Sequence, residues 1–347
     1  MVTGTRRTNP IPRTPRRKSG GITLRDVAKL AGVSVITASR ALNTPEALTA
    51  ETLAKVRDAV ARTGYVPNLL AGGLASARSR LVAALIPAIA GSVFLETIQA
   101  LTEELESAGF QLILGQSGYA KSREDALIDA LIGRRPDGIV LTGVLHSSEG
   151  RKRLAASGIA VVETWDLTPT PIDMLVGFSH ERVGEAVAAM VRAAGSLRPA
   201  IVTADDHRAG LRRAGFERAA QAAGMQAPTV ITVAAPSSLA QGRSAFAELL
   251  QRAPDTDAVY CSSDLLAHGV LTEAQARGLA IPGRLKVIGF GDLAFAAHTH
   301  PPLTTVRVDG TAIGRQAAHF IIDRVAGRDP GLRVRDIGFS IITRNTT

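Results

Sequence analysis
The chain has 347 residues, enough for two or more domains, and its 46% hydrophobic and 20% charged residues suit a soluble globular protein. No apolar run approaches the ~20 residues needed to span a membrane, no apolar segment follows the N-terminal charges as a secretory signal requires, and the single Cys261 excludes an intrachain disulfide, so a cytoplasmic protein is expected. The formal charge of +9 is unevenly placed: residues 1–80 hold 14 Lys/Arg against 4 Asp/Glu, which leaves 81–347 at −1. Such a distribution marks a nucleic-acid-binding N-terminal segment and argues against a basic enzyme surface.

Residues 1–21 carry Arg6, Arg7, Arg13, Arg16, Arg17 and Lys18 among Pro, Thr, Gly and Ser, and read as a disordered basic arm. The arm either adds phosphate contacts, or is a passive tail, or reflects an upstream start site. Residues 22–43 read as two short helices around a tight turn. Thr23 caps the first, with Asp26 in the capping-box position. Val27, Ala28, Leu30 and Ala31 give it an apolar face. Gly32 supplies a residue tolerant of φ > 0, and Ser34 caps the second helix, which runs to about Asn43. A helix, a glycine turn and a second capped helix describe a helix-turn-helix, whose second helix enters the major groove. Val35 and Ile36 at its start suit a thymine methyl or a base edge, and Arg40 suits a bidentate pair to guanine.

Thr49 begins a third helix, Ala50 to Thr63, with Leu53, Val56 and Val60 at helical spacing and Gly64 at its end. The words Leu24-x-Asp26-Val27-Ala28, Ala31-Gly32-Val33-Ser34, Thr37-x-Ser39-Arg40, Leu42-Asn43 and Gly64-Tyr65-x-Pro67-Asn68 resemble the headpiece of the lactose-repressor (LacI/GalR) family. The resemblance implies operator contacts from Thr23, Leu24, Ser34, Val35, Ile36, Thr37, Ser39, Arg40, Asn43, Tyr65, Asn68, Ala71 and Leu74. It also implies that residues 67–80 are a hinge that becomes helical on operator DNA. Leu74 stands where the family's leucine wedges into the minor groove, and such wedges kink DNA. Gly72-Gly73 departs from the pattern, and glycine costs about 0.8–1 kcal/mol against alanine in a helix interior, so a marginal hinge helix is expected.

From Leu81 the pattern changes to apolar strands alternating with helices, which means parallel sheets covered on both faces. The strands are read at Leu81–Ile86, Gln111–Leu114, Gly138–Leu141, Ala160–Val162, Met174–Val176, Ala200–Val202, Thr229–Val233, Ala258–Cys261 and Lys286–Gly289. The stretch Thr304–Val308 and the helix Gly310 to Ala326 resemble the family's return into the first half. The fold class expected is thus an all-α helix-turn-helix headpiece followed by an α/β periplasmic-binding-protein-like body of two doubly wound parallel-sheet subdomains. The expected boundaries are 22–66 for the DNA-binding domain, 67–80 for the hinge and 81–347 for effector binding and dimerisation. The body's subdomains are placed at about 81–178 with 308–336, and 179–307 with the C-terminal end.

Ligands of open parallel sheets bind beyond the carboxyl ends of the strands, here in the cleft between the two halves. Trp165, Tyr119 and Phe178 suit stacking on a sugar face. Asp166 and Asp264 can accept hydroxyl protons, and Arg212 can pair with a carboxylate. The family resemblance puts Asp166, Arg212 and Asp264 at inducer-contact positions, while Gly291 stands where many sugar-binding members have an acid. The words Val161-Val162-Glu163, Val176-Gly177-Phe178-Ser179-His180 and Gly289-Phe290-Gly291 resemble the gluconate-repressor branch, which implies a sugar-acid effector such as gluconate or a phosphorylated relative. The effector-binding candidates are Phe94, Tyr119, Glu163, Asp166, Phe178, Arg212, Asp264 and Asp292.

Enzyme signals are thin. The chain has no G-x-G-x-x-G after a strand, no P-loop and no G-x-S-x-G elbow. His298 and His300 have no third ligand at metal spacing. No cofactor and no metal are expected. The sequence therefore reads as a repressor that acts as a homodimer on a pseudo-palindromic operator, with operator affinity changed by the effector. The alternatives are a corepressor- or phosphoprotein-dependent regulator on the same fold, and a sugar-acid-binding protein without DNA function, which would need a signal segment and no headpiece.

Overall fold
The computed structural model describes residues 22–66, 79–89, 93–118, 121–144 and 147–347. The arm at 1–21, most of the hinge with Asn68, Ala71, Gly72, Gly73 and Leu74, and Tyr119 lie outside the described residues. The chain separates into two units, residues 1–77 and 78–347.

The first unit is a three-helix headpiece: α1 Leu24–Ala31, α2 Val35–Asn43 and α3 Ala50–Thr63. Asp26 accepts from the Thr23 backbone N–H at 2.8 Å and from its hydroxyl at 2.7 Å, fixing the start of α1. Gly32 takes φ +68° and closes α1 with N–H bonds to Ala28 and Lys29 carbonyls, a turn that a side chain would strain. Ser34 Oγ accepts from the Thr37 N–H at 3.0 Å and starts α2. Val27, Ala41, Val56 and Ala59 form the core, with Val33, Leu48, Leu53, Val60 and Tyr65 packed around it. Leu30 departs from the expected apolar face and is exposed. At about 100° per residue it lies roughly 100° from the middle of the Val27–Ala28–Ala31 arc, too far round to reach the core.

The second unit holds two six-stranded sheets. In one the order is β11-β5-β4-β3-β1-β2, and in the other β12-β10-β9-β8-β6-β7. The strands are β1 Leu81–Ile86, β2 Gln111–Gln116, β3 Gly138–Thr142, β4 Ala160–Thr164, β5 Met174–Gly177, β6 Pro199–Ala204, β7 Thr229–Val233, β8 Ala258–Cys261, β9 Lys286–Phe290, β10 Thr304–Arg307, β11 Val334–Asp336 and β12 Ser340–Ile342. All pairings are parallel except β10 with β12. The continuous apolar strands are buried along their length, β4, β6 and β8 among them, because helices cover both faces. The edge strand β2 is largely exposed.

The helices of this unit are α4 Leu95–Ser107, α5 Lys121–Ile132, α6 Ser148–Ser157, α7 His180–Ala193, α8 His207–Ala222, α9 Leu239–Arg252, α10 Asp264–Ala276 and α11 Gly310–Val325. Between the sheets the chain crosses three times, after β5, after β10 and between β11 and β12. One apolar cluster runs through both halves, from Val82 and Val162 to Ile201, Tyr260 and Ile288. Helix α7 lies directly on α8: a Cβ on Gly184 would stand 1.9 Å from the Arg212 carbonyl oxygen, and one on Gly215 would stand 2.1 Å from that of Glu181. This backbone-to-backbone seat brings the first turns of α7 against the middle of α8, around Arg212 and Gly215.

Candidate functional site
The segments that follow the strands converge on a cleft between the two sheets. One cavity, about 100 Å³ and partly open to solvent, is lined by Val93 and Phe94 before α4, by Trp165 after β4 and by His180, Arg208 and Arg212 of α7 and α8. Phe290, Ser262, Ser263, Ser237 and Asp206 complete its wall. A second cavity, about 620 Å³, borders Glu124, Thr142, Asp166, Asp205, Asp206, His207 and Arg208. Arg208 and Asp206 belong to both. The first cavity is aromatic and cationic; the second is rich in carboxylates.

Arg212 is the centre of the first. It is 5% exposed, with its guanidinium carbon 4.0 Å from the Phe290 ring centroid. Its Nη1 donates to His180 Nδ1 at 2.9 Å and its Nη2 to the Ser262 carbonyl at 3.0 Å. Two of five N–H donors are thereby used, and Nε, also buried, has no partner. Among the described residues no carboxylate forms an ion pair with it. His180 is held in one tautomer. Its Nε2 lies 2.8 Å from the Trp165 carbonyl, which can only accept, and its Nδ1 faces a guanidinium, which can only donate. Burial first, and then the Arg212 charge, push the imidazole well below its ordinary range, so His180 is neutral.

Trp165 takes φ +64°, an uncommon conformation for a bulky residue. Its Nε1 donates to Thr97 Oγ1 at 3.0 Å, and Thr97 in turn donates to the Gly310 carbonyl at 2.9 Å. The indole meets Phe94 edge-on at 5.0 Å and Phe178 at 5.9 Å. Asp166 beside it is buried and its carboxyl is raised by that burial; Oδ1 accepts only the neighbouring Leu167 N–H at 2.8 Å. Glu124 is raised likewise by burial and by Asp125.

In the headpiece, the start of α2 presents large apolar groups to solvent. Val35 is 42% and Ile36 67% exposed, and Arg40 is exposed one turn on. Ser34 and Thr37 hydroxyls are 2.8 Å apart, and Asn43 Nδ2 donates to the Ser39 carbonyl at 2.9 Å, so these polar residues brace α2 along its exposed side. Thr23 and Leu24 start α1, and Tyr65 is half-buried against the core.

Residues 23–68 match the model of bacterial regulatory proteins of the lacI family, and residues 172–347 match that of the periplasmic binding protein-like domain. The HTH-type transcriptional regulator GntR of Pseudomonas aeruginosa is 40% identical over 333 residues, covering 95% of this chain and 97% of its own. The chain belongs to the LacI family of bacterial regulatory proteins. A LacI-family regulator from Silicibacter pomeroyi superposes with a TM-score of 0.88 at 33% identity, over 94% of this chain and 99% of that one. The transcription regulator GntR from Chromobacterium violaceum gives 0.73 at 34% identity, over 77% and 98%. The protein is thus a DNA-binding transcriptional regulator and not an enzyme, with an α/β body of the effector-binding type. Among the described residues no helix is long and apolar enough to cross a membrane.

Of the effector candidates read from the strand ends and, for Asp166, Arg212 and Asp264, from the family resemblance, Phe94, Asp166 and Arg212 line the cleft. Glu163, Phe178, Asp264 and Asp292 do not, and each is occupied elsewhere. Glu163 is fully buried in a 2.9 Å ion pair with Arg151 and accepts the Ile172 N–H at 2.8 Å. Phe178 lies behind Trp165 and His180. Asp264 accepts the Thr305 hydroxyl at 2.6 Å and the Leu293 N–H at 2.7 Å, tying α10 to the ends of β9 and β10. Asp292 pairs with Arg344 at 2.7 Å and Arg307 at 3.5 Å. At Gly291 an acid would be strained: φ is +129°, and a Cβ would stand 2.6 Å from Val93 Cγ1, which would have to shift. His180 and Arg208 fall in the segments after β5 and β6 that the sequence places at the pocket but are not singled out there, and Ser262 and Glu124 are missed. Arg208 had a legible signal, since its spacing of four from Arg212 puts both on one face of α8.

Proposed function
We propose that this LacI-family regulator is a cytoplasmic, homodimeric repressor whose operator affinity is changed by a small sugar acid of the gluconate type, bound in the cleft. The observation that carries the effector class is Arg212. A guanidinium buried to 5% exposure without a carboxylate counter-ion is costly. An incoming carboxylate would supply the missing charge through charge-assisted bonds roughly twice as strong as neutral ones. The carboxylates Glu124, Asp166 and Asp205 bordering the neighbouring cavity suit the hydroxyls of a polyol tail, and Phe94 and Trp165 suit its C–H face. The gluconate-repressor words in the sequence, and relatives that bear the name GntR, favour the same class. On the DNA side the reading rests on the exposed Val35, Ile36 and Arg40 of α2, on the capped turn that aims them and on the net charge of the first 80 residues.

A thermal-shift panel of gluconate, gluconate 6-phosphate, gluconolactone, glucose and cellobiose tests the effector. A ligand at 100 times its Kd stabilises the fold by about 2.7 kcal/mol. Gluconate should shift the melting point and release operator DNA in a gel titration. A shift with glucose or the lactone alone would refute the carboxylate reading, and a tighter operator complex with gluconate would make it a corepressor.

A further inference from the structure
The groups bonded to the Arg212 guanidinium are all neutral. His180 Nδ1 accepts from Nη1 at 2.9 Å, the Ser262 carbonyl accepts from Nη2 at 3.0 Å, and the Phe290 ring centroid lies 4.0 Å from the guanidinium carbon. The buried Tyr260 beside it is pushed up to about 12 by that burial, so its phenol carries no charge either. Asp166 feels the Arg212 charge but forms no ion pair with it, and Asp206 in the same cavity wall is taken up as the cap of α8 by the Ala209 N–H at 3.0 Å. Among the described residues the cation is therefore oriented without being neutralised. His180 supplies that orientation. The imidazole opens α7, is 2% exposed and packs against the Phe178 and Phe290 rings, with centroids 4.5 and 6.3 Å away. Its Nε2–H is committed to the Trp165 carbonyl at 2.8 Å, which leaves the Nδ1 lone pair for the guanidinium. Buried guanidinium groups are ordinarily paired with carboxylates, and here the position holds an imidazole instead.

We propose that His180 sets the preference of the cleft for anions: a neutral acceptor, it orients the Arg212 guanidinium and leaves the whole positive charge for the effector carboxylate. A carboxylate in its place would orient Arg212 as well. An incoming anion would then meet a pair already neutral, with the charge-assisted bond already formed inside the protein. An amide would keep the neutral acceptor, because the side-chain oxygen of Asn stands about where Nδ1 does. A protonated imidazole would fail in a different way, with a donor facing a donor. Burial first, and then the charges of Arg212 and Arg208, hold the imidazole unprotonated, and His207 acts in the same sense. The same cations would keep a carboxylate at this position ionised. His180 is thus a positioning residue that acts on the effector through Arg212.

This proposal rests on the sugar-acid reading, and the experiment separates the two. Full-length wild type, His180→Asn, His180→Asp and His180→Leu are titrated by calorimetry with sodium gluconate and with sorbitol, the neutral polyol of the same length. Their melting points are recorded without ligand. The Asn and Asp variants have the same shape and differ by one charge. His180→Asn should keep the preference for gluconate over sorbitol and bind gluconate at least about tenfold more tightly than His180→Asp, a factor equal to ~1.4 kcal/mol. His180→Asp should nevertheless melt above His180→Asn, because its carboxylate gives the buried Arg212 a counter-ion. A purely structural role for His180 would tie the two readouts together, so that the less stable variant binds worse. His180→Leu, which offers no acceptor, keeps the test decisive should His180→Asp not fold: it should bind gluconate more weakly than His180→Asn. Equal gluconate affinity in His180→Asn and His180→Asp, or in His180→Asn and His180→Leu, overturns the role of His180 and leaves the effector reading standing. A wild type that binds sorbitol as well as gluconate, or binds neither, overturns both.

Discussion

Replacing Arg212 by methionine keeps most of the side chain's length and removes its charge. Without effector, two opposed effects follow. The substitution deletes the bonds to His180 and the Ser262 carbonyl, each worth ~1.5–3 kcal/mol for a charged donor, and a cation–π contact worth about 0.5–2 kcal/mol. It also relieves the burial of a cation that has no counter-ion, a penalty of several kcal/mol. The two nearly cancel, so stability should change by no more than about 2 kcal/mol, or roughly 4–8 °C in melting temperature for a body of this size. With effector the effects no longer cancel. Removing one partner of a buried, hydrogen-bonded charge pair costs ~2–5 kcal/mol, which is about a 30- to 4,000-fold loss of gluconate affinity. Melting curves with and without gluconate, and calorimetry on both proteins, give the two numbers separately. A loss above about 4 kcal/mol without effector would make Arg212 a structural cation already satisfied by His180 and Ser262. Unchanged gluconate affinity would remove the carboxylate from Arg212.

Other perturbations have equally definite outcomes. Arg40→Ala should relax base preference at one operator position by ~1–3 kcal/mol, read by competition with operator variants, and leave the fold intact because Arg40 is exposed. Gly184→Ala puts a methyl against the Arg212 carbonyl and should destabilise the body by at least ~1–3 kcal/mol, whereas Gly210→Ala, with open space at its Cβ, should stabilise by ~0.4–1 kcal/mol; denaturant titrations compare them. Burial raises the Asp264 carboxyl to about 6. The folded state then holds that proton more tightly than the unfolded chain, so the contribution is present below about pH 4 and is lost as pH rises through about 6, a difference of roughly 3 kcal/mol. His180, lowered, acts in the opposite sense, so the comparison is with Asp264→Asn, whose stability should lack that decline; parallel slopes in the two proteins would refute it.

The fold was largely legible because its signals are local. Thr23, Asp26, Gly32 and Ser34 fix the first turn, and runs such as Val161–Val162 or Ala258–Cys261 admit little but buried strands. The strand β11, Val334-Arg335-Asp336, was not legible, because it is a short, exposed edge with no apolar run. The site was legible as a set of strand ends but less so residue by residue. Asp264 and Asp166 look alike in sequence; only packing reveals that Thr305 and the Leu293 N–H take up one while the other faces the cavity. Glu163 likewise depends on Arg151, twelve residues earlier, and on the Ile172 N–H, nine residues later. Which loop residue points inward depends on contacts between distant segments, and short-range patterns do not encode them.

The three passages of the chain between the sheets have a consequence for how the body comes apart. Residues 81–177 supply five strands of one sheet, but the sixth, and the helix α11, come from beyond residue 307. Neither half is a continuous piece of sequence, and one apolar cluster serves both. Cutting the chain at 178 would therefore leave the first fragment without β11 and α11, and the second with its own sheet complete but carrying that strand and helix without the sheet they belong to, rather than two small domains. The body should melt in a single calorimetric transition despite its two sheets, and the freedom left to its halves is a rotation about three parallel tethers instead of the wide swing that one linker would permit.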